Sequence, residues 1–321
     1  MKNYYKLGIV IPTKNRPDLL IETIDNIFNK LLCEIEVIIV DGSTNDDTKI
    51  ILKSYIQDNK VIYFKPKSNN GFDYDLNYGI NRSNAEFVWM FSDDDLISGI
   101  DINKVYHELN ENHFDFYIIN SVIYDKKFLN VLQNKFVSLD DMSGDDLNIL
   151  FKNFIDYFSF FGGCILKKRL WIESKPEKYF GSLFVHIGVI FDSHKILKWK
   201  FLSNPIIKIR YGNASWTNNY MKIWLILWPN LLKSFKSIDN NLINIRTKFT
   251  FFQLVKKLIF IKALGLYKSN ILLDIQIGLS NNNLKIIKIG LFFLPKNVCK
   301  IISIIYSKKN NKLLMLYDLL N

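Results

Sequence analysis

Apolar residues in the first hundred positions fall into short dense runs, separated by segments of helical periodicity. Leu7–Ile11 is one such run, stopped by Pro12, and Ile35–Val40, Val61–Phe64 and Phe87–Phe91 follow it. Runs of this length, rich in β-branched and aromatic residues, fit strands buried on both faces. Between them, Leu20, Ile24, Ile27 and Phe28 recur at helical spacing over roughly 17–29, with Pro17 suited to a first turn. A second helix is predicted from Asp46, as its cap, to about Gln57, with Ile50, Ile51, Tyr55 and Ile56 apolar. The turn signal Asn69-Asn70-Gly71 precedes a third, which carries Leu76, Tyr78 and Ile80. Strands alternating with helices of about three turns predict parallel βαβ units, an α/β sheet with helices on both faces.

Beyond Asp95 the regularity fades. Helices are predicted over 101–112, 145–154 and 182–196, the last containing His186. Strands are predicted at Phe114–Ile119 and as two short pieces near Trp199–Leu202 and Ile206–Tyr211. Gly162-Gly163 precedes another apolar run, Cys164-Ile165-Leu166, and suits either a close backbone approach to a ligand or a tight turn. Residues 217–321 differ in kind, with runs such as I-W-L-I-L-W-P-N-L-L from Ile223 and K-I-I-K-I-G-L-F-F-L-P-K from Lys285. The predicted organisation is a domain over 1–216 and a basic, apolar helical region over 217–321.

Charge sharpens that division. Of the net +11, residues 217–321 hold 16 Lys and Arg against 3 Asp, whereas residues 1–216 hold 26 basic and 28 acidic residues. Such asymmetry predicts an anionic surface as partner. Apolar helical faces flanked by lysines suit the membrane interface, and a helical subdomain with a basic outer face is the other reading. Nucleic acid is not predicted, since no helix-turn-helix, zinc or RNA-platform signature occurs. The three cysteines, Cys33, Cys164 and Cys299, are odd in number and scattered, which predicts a reducing compartment without a disulfide framework. No uncharged apolar run reaches the roughly 18 residues of a spanning helix, and the run before Pro12 is too short for a signal peptide. The expected location is cytoplasmic, peripheral at the inner face of the cell membrane, and the oligomeric state is not legible.

The candidate chemistry gathers at the strands' carboxyl ends, where open α/β sheets bind ligands. Strand one ends in Thr13-Lys14-Asn15-Arg16, strand two in Asp41-Gly42-Ser43 and strand four in Ser92-Asp93-Asp94-Asp95. Three adjacent carboxylates repel one another and are costly to desolvate, so a cation is expected beside them. Mg2+ or Mn2+ sharing its shell with substrate phosphates suits an all-oxygen set, and a solvated acidic turn capping the next helix is the bland alternative.

These segments also resemble a known family. I-V-I-P-T-K-N-R-P-D-L-L at Ile9–Leu20, I-I-V-D-G-S-T-N-D-D-T at Ile38–Thr48, Asn77-Tyr78-Gly79 and F-S-D-D-D at Phe91–Asp95 stand in the order and spacing of family 2 glycosyltransferases. The segment Arg210–Phe235 is similar to the bacterial O-antigen abequosyltransferase subgroup. The resemblance implies the GT-A fold, a Rossmann-like nucleotide-sugar-binding domain. It further implies transfer of a hexosyl or deoxyhexosyl group from a nucleoside-diphosphate sugar to a glycan hydroxyl. The acceptor would be an O-antigen, capsule or similar surface glycan, lipid-linked at the membrane.

The family's roles carry over residue by residue. Pro12 and Thr13 would line the nucleotide, Asp41 would hydrogen-bond the base, and Gly42 and Ser43 would shape that pocket. Asp93 would reach the ribose and Asp95 would bind Mn2+ or Mg2+, with Asp94 the ligand in the alternative register. Asp73 and Asp75 would face the donor or lie on the exposed face or first turn of their helix. The chain departs from the pattern where inverting members carry an acidic base, often in an E-D pair. Here the region reads G-S-L-F-V-H-I-G, which leaves anomeric stereochemistry open. His186 would be a third metal ligand, a general base or a core residue, and Asp156 is the other candidate base. Arg210 would contact the diphosphate or pair structurally. A nucleotidyltransferase, disfavoured because no Gly-rich basic loop follows the first strand, and a non-catalytic nucleotide-sugar-binding partner are the competing readings.

Overall fold

The computed structural model describes residues 5–67, 71–111, 113–192, 197–214, 216–275 and 279–321. Two compact units divide the chain, Met1–Tyr211 and Gly212–Asn321.

The first unit is built on one mixed sheet. Its strands are β1 (Tyr5–Thr13), β2 (Glu36–Asp41), β3 (Ile62–Phe64), β4 (Ala85–Met90), β5 (Phe116–Tyr124), β6 (Val131–Gln133), β7 (Met142–Gly144), β8 (Cys164–Lys167) and β9 (Trp199–Arg210). The order is β3-β2-β1-β4-β8-β5-β9-β7, with β6 paired to β5. The first four strands run parallel, as the βα alternation predicts. β8 then enters antiparallel between β4 and β5, so the far half of the sheet is mixed. β9 is one strand, parallel to β5, where two were expected, and its register shifts opposite Ile119–Ser121. Ser203-Asn204-Pro205, between the two expected pieces, lies at this break in the ladder.

The helices that position the site are α1 (Pro17–Phe28), α2 (Phe72–Arg82), α3 (Gly99–Glu111), α4 (Leu147–Phe154) and α5 (Val185–Asp192). α1 starts on Pro17 and buries Leu20, Ile24 and Ile27 against Ile9, Ile11, Trp89 and Phe91 of the main core. The helix expected over 46–57 is two pieces, Asp47–Ile51 and Lys53–Gln57. Asp46 makes no capping bond and instead accepts from Lys65 Nζ at 2.6 Å. α2 lies close on the sheet because Gly79 permits it: a Cβ there would stand 2.5 Å from Val10 Cγ1. That contact gives the Asn77-Tyr78-Gly79 motif a packing reason. Gly162-Gly163 forms a tight turn walled by Phe160 and Tyr157, and the Gly162 carbonyl accepts Trp89 Nε1–H at 2.7 Å. The predicted turn residues Asn69 and Asn70 lie outside the described residues.

The second unit is helical. α6 (Phe251–Ala263) opens on a Thr250–Gln253 capping box, and α7 (Asn281–Phe293), α8 (Lys296–Lys309) and α9 (Leu313–Leu320) follow. Leu254, Leu258 and Ile261 pack with Leu284, Ile287 and Leu291, and Phe260 and Ala263 pack with Cys299 and Leu319.

Candidate active site

Parallel pairing sets β1 beside both β2 and β4, so their three polar ends meet. The β1–β2 register pairs Pro12 with Val40 and Thr13 with Asp41, and the Thr13 carbonyl accepts Gly42 N–H at 2.9 Å. Asp41 is wholly buried, its carboxylate accepting Ser43 N–H at 2.9 Å and the Tyr63 hydroxyl at 2.7 Å. Ser43 Oγ in turn accepts Asn15 N–H at 2.7 Å, where Asn15 turns the loop with φ of 56°. The first two loops are therefore tied to one another.

The acidic triplet is tied to the first loop. Thr13 Oγ1 donates to Asp93 at 2.7 Å, and Arg16 Nη1 reaches Asp93 at 3.3 Å and Asp94 at 3.0 Å. Arg16 is thus the cation that the carboxylates required. Its position in the first loop was legible, but its partners were not. Asp95 is held from the other side, accepting Arg210 N–H at 2.8 Å, while its carbonyl accepts Thr23 Oγ1–H at 2.9 Å. All three carboxylates are buried. Burial, with repulsion from Asp94, pushes the Asp93 carboxyl up to about 6 against the pull of Arg16. The same two causes hold Asp95 well above the usual carboxylate range. Arg16 and Arg210 offset the desolvation and repulsion of Asp93 and Asp95 only in part, and every donor is a hard oxygen. That fits a divalent cation completing its shell from phosphate and water. Among the described residues no group of three or more His, Cys, Asp or Glu could hold a metal alone.

Of the two roles open to Arg210, a diphosphate contact or structural pairing, the pairing is seen. Its Nε donates to the Asp94 carbonyl at 2.9 Å, Nη1 to the Lys126 carbonyl at 3.0 Å and Nη2 to Glu22 at 2.5 Å. The guanidinium also lies 4.2 Å from the Phe128 ring centre. All three of its nitrogens have partners, and the side chain is a strut under the triplet.

His186 does not join Asp94 and Asp95 in a metal-ligating group. It is buried near Phe161, with Nε2 2.8 Å from the Phe158 carbonyl, a contact that makes Nε2 the protonated nitrogen. Desolvation lowers its pKa to about 4, so it is neutral near pH 7. His186→Leu is accordingly expected to cost about 1 kcal/mol, one hydrogen bond, and to leave the pH profile of turnover in place. Because the folded pKa lies below the unfolded one, this histidine's contribution is complete above about 6.5 and fades as pH falls toward 4. Acid unfolding of the Leu variant should be less steep over that window, measured by urea titration. Asp156 is exposed, immediately before a 3-10 turn at Tyr157–Ser159.

Asp73 and Asp75 are buried in the first turn of α2, not on an exposed face. Asp73 accepts N–H groups from Gly181, Leu183 and Val185, pinning the segment that leads into α5. Asp75 Oδ1 is buried and has no hydrogen-bond partner. Desolvation raises its pKa to about 6, with Lys14 pulling it down and Asp41 pushing it up. Asp75 thus stands in the field of both polar loops. A carboxyl raised on folding is fully stabilising below the unfolded value, near 4, and loses that contribution as pH rises through 6. Asp75→Asn is expected to unfold about 1 kcal/mol later than the parent at pH 8 and equally at pH 4, after discounting for partial solvation.

An open groove of about 850 Å³ lined by Asp25, Tyr55 and Lys60 sits beside the C-terminal half of α1. α1 runs back from the carboxyl end of β1, so the groove lies toward the opposite end of the sheet and is not the candidate site.

A parallel half-sheet with an acidic turn after β4, facing polar loops after β1 and β2, is the arrangement of the GT-A fold. The glycosyl transferase family 2 model matches residues 8–170, and the chain belongs to that family. An uncharacterized glycosyltransferase of Rickettsia typhi is 28% identical over 251 residues, 71% of each chain. The GalNAc(5)-diNAcBac-PP-undecaprenol beta-1,3-glucosyltransferase of Campylobacter jejuni is 32% identical over 111 residues, which span only 36% of that relative and 34% of this chain. Among solved structures, Staphylococcus aureus TarS (residues 1–349) superposes with a TM-score of 0.56 at 15% identity, covering 95% of this chain and 92% of that one. At that identity the likeness shows the fold alone.

Proposed function

We propose that this glycosyltransferase takes its sugar from a nucleoside-diphosphate donor bound across the ends of β1, β2 and β4. The observation that carries the reading is the junction of Thr13, Arg16, Asp93 and Asp94 at one edge of a family 2 domain. Pro12, Thr13, Gly42 and Ser43 line the nucleotide, and Asp41 accepts from the base through lone pairs that Ser43 and Tyr63 leave over. Asp93 receives the ribose hydroxyls. Asp95, or Asp94 in the alternative register, holds Mn2+ or Mg2+, which when bound neutralises charge on the departing diphosphate. Arg16 keeps the carboxylates from repelling one another until the cation and donor arrive. Asp75, a buried carboxylate that costs stability where the loops converge, is added to the donor-facing set. Polar groups that cost stability tend to be kept where function needs them.

The acceptor is proposed to be a hydroxyl of a surface glycan carried on a lipid. Two facts support this reading: the Campylobacter relative's name specifies an undecaprenol-linked acceptor, and residues 217–321 are strongly basic and apolar. The chain would then work at the inner face of the cell membrane. Among the described residues, no single helix is long and apolar enough to cross a membrane.

The test is a panel of nucleoside-diphosphate sugars, each scored for stabilisation against thermal unfolding with and without Mn2+. A ligand bound only by the native state at about 100 times its Kd contributes about 2.7 kcal/mol. One nucleotide family should raise the midpoint, and only with the metal. No stabilisation by any donor would refute the reading.

A further inference from the structure

In the second unit, α8 presents its apolar side chains in an inverted arrangement. α8 buries Cys299, Ser303 and Ser307, while Val298, Ile301, Ile302 and Ile305 lie exposed on a second stripe at helical spacing. A helix of a water-soluble protein does the reverse. α7 buries Leu284, Ile287 and Leu291 in the ordinary way, yet also exposes Ile286, Ile289 and Phe293. Where the two helices meet, Phe292 and Phe293 are 78% and 75% exposed with ring centres 5.3 Å apart. Contiguous exposed apolar surface of this kind marks an interaction site.

We infer that the outer face of α7 and α8, with the Phe292–Phe293 corner, docks on the surface of an anionic lipid bilayer. Charge decides the occupant. Residues 281–321 contain seven lysines and a single acid, Asp318, and Lys285, Lys296, Lys300, Lys308 and Lys309 are exposed. A second copy of the chain would bring the same lysines against these, an unfavourable match. Acidic headgroups complement them, and lysine stems lie along apolar surface with the ammonium in the headgroup layer. Geometry decides the depth. The helices have 13 and 14 residues, about 20 Å each, short of a hydrocarbon core of about 30 Å. They are bent by 104° to one another, so the pair forms an in-plane hook rather than a span. This surface deepens the lipid-linked acceptor reading and rests on it for its purpose, but its evidence is independent of the donor site.

The test sediments the full chain with phosphatidylcholine vesicles, and with vesicles of roughly three parts phosphatidylcholine to one of phosphatidylglycerol. The chain should bind the anionic vesicles, and less well as salt rises. The double variant Ile289→Glu, Ile305→Glu should bind about tenfold more weakly or worse, since two inserted apolar side chains are lost. Both positions are exposed, so the fold should survive, checked by an unchanged melting midpoint. Lys285→Glu with Lys300→Glu gives a second route to the same loss. No sedimentation with either vesicle at low salt would overturn the inference, as would a double variant that binds like the parent. A parent dimer that the variant makes monomeric, with no vesicle binding, would assign the face to a second copy instead. Donor stabilisation measured on the same samples separates the two readings: its absence removes the donor site and leaves the vesicle result standing.

Discussion

Asp95→Asn is expected to reduce transfer by about three orders of magnitude while the protein folds normally. The fold survives because an amide oxygen still accepts the Arg210 N–H that Asp95 receives at 2.8 Å. It survives also because burial, with repulsion from Asp94 second, already holds the Asp95 carboxyl well above the usual range. Removing that charge relieves repulsion in the empty protein, so the melting midpoint should hold or rise slightly. What disappears is the anion that a divalent cation needs between protein and diphosphate. The expected signature is therefore a stable protein with little turnover and no metal-dependent donor binding. Turnover at the parent level would refute the assignment of Asp95, and the same loss seen only in Asp94→Asn would move the role to Asp94.

The second large effect falls on stability. Arg210→Met should cost about 3 kcal/mol, because one change strips the Asp94 and Lys126 carbonyls and the Glu22 carboxylate of their donors. Contact with the Phe128 ring is lost with them. Arg210→Lys should recover only part of this, since an ammonium does not reproduce the forked geometry. Urea unfolding separates this strut from a diphosphate contact. A donor-contacting arginine would change KM and leave the unfolding free energy near that of the parent, and that outcome would reverse the assignment.

How far the sequence reveals this arrangement depends on how local the cause is. β1 to β4 are legible because each is a short apolar run closed by polar residues, and parallel pairing follows from the helices between them. Their polar ends at Thr13, Asp41 and Asp93 then meet by topology alone. The antiparallel entry of β8 is not legible: four residues, Cys164–Lys167, carry no orientation signal, and their partners lie some 50 and 80 residues earlier. The same holds for acids whose partners come from afar. Asp73 and Asp75 look like a solvated first turn, because polar residues spaced by two carry no mark of burial. What buries Asp73 is a segment more than 100 residues later, whose N–H groups close on its carboxylate. Arg16 and Arg210 show the limit from the other side. The triplet announces that cations are needed, but only tertiary contacts show that Arg16 bridges two of its carboxylates while Arg210 braces its backbone. His186 is the polar residue in the segment where the family resemblance implies a base, yet its ring bonds the Phe158 carbonyl inside the core.

The decisive measurement is a calorimetric titration of the stabilising nucleoside diphosphate into the parent and into Asp95→Asn, each with Mn2+ and after chelation. Saturable binding in the parent with metal, lost on chelation and lost in the variant, is the result that a cation-bridged diphosphate at Asp93–Asp95 predicts. Equal affinity in all four titrations would place the nucleotide elsewhere and contradict it.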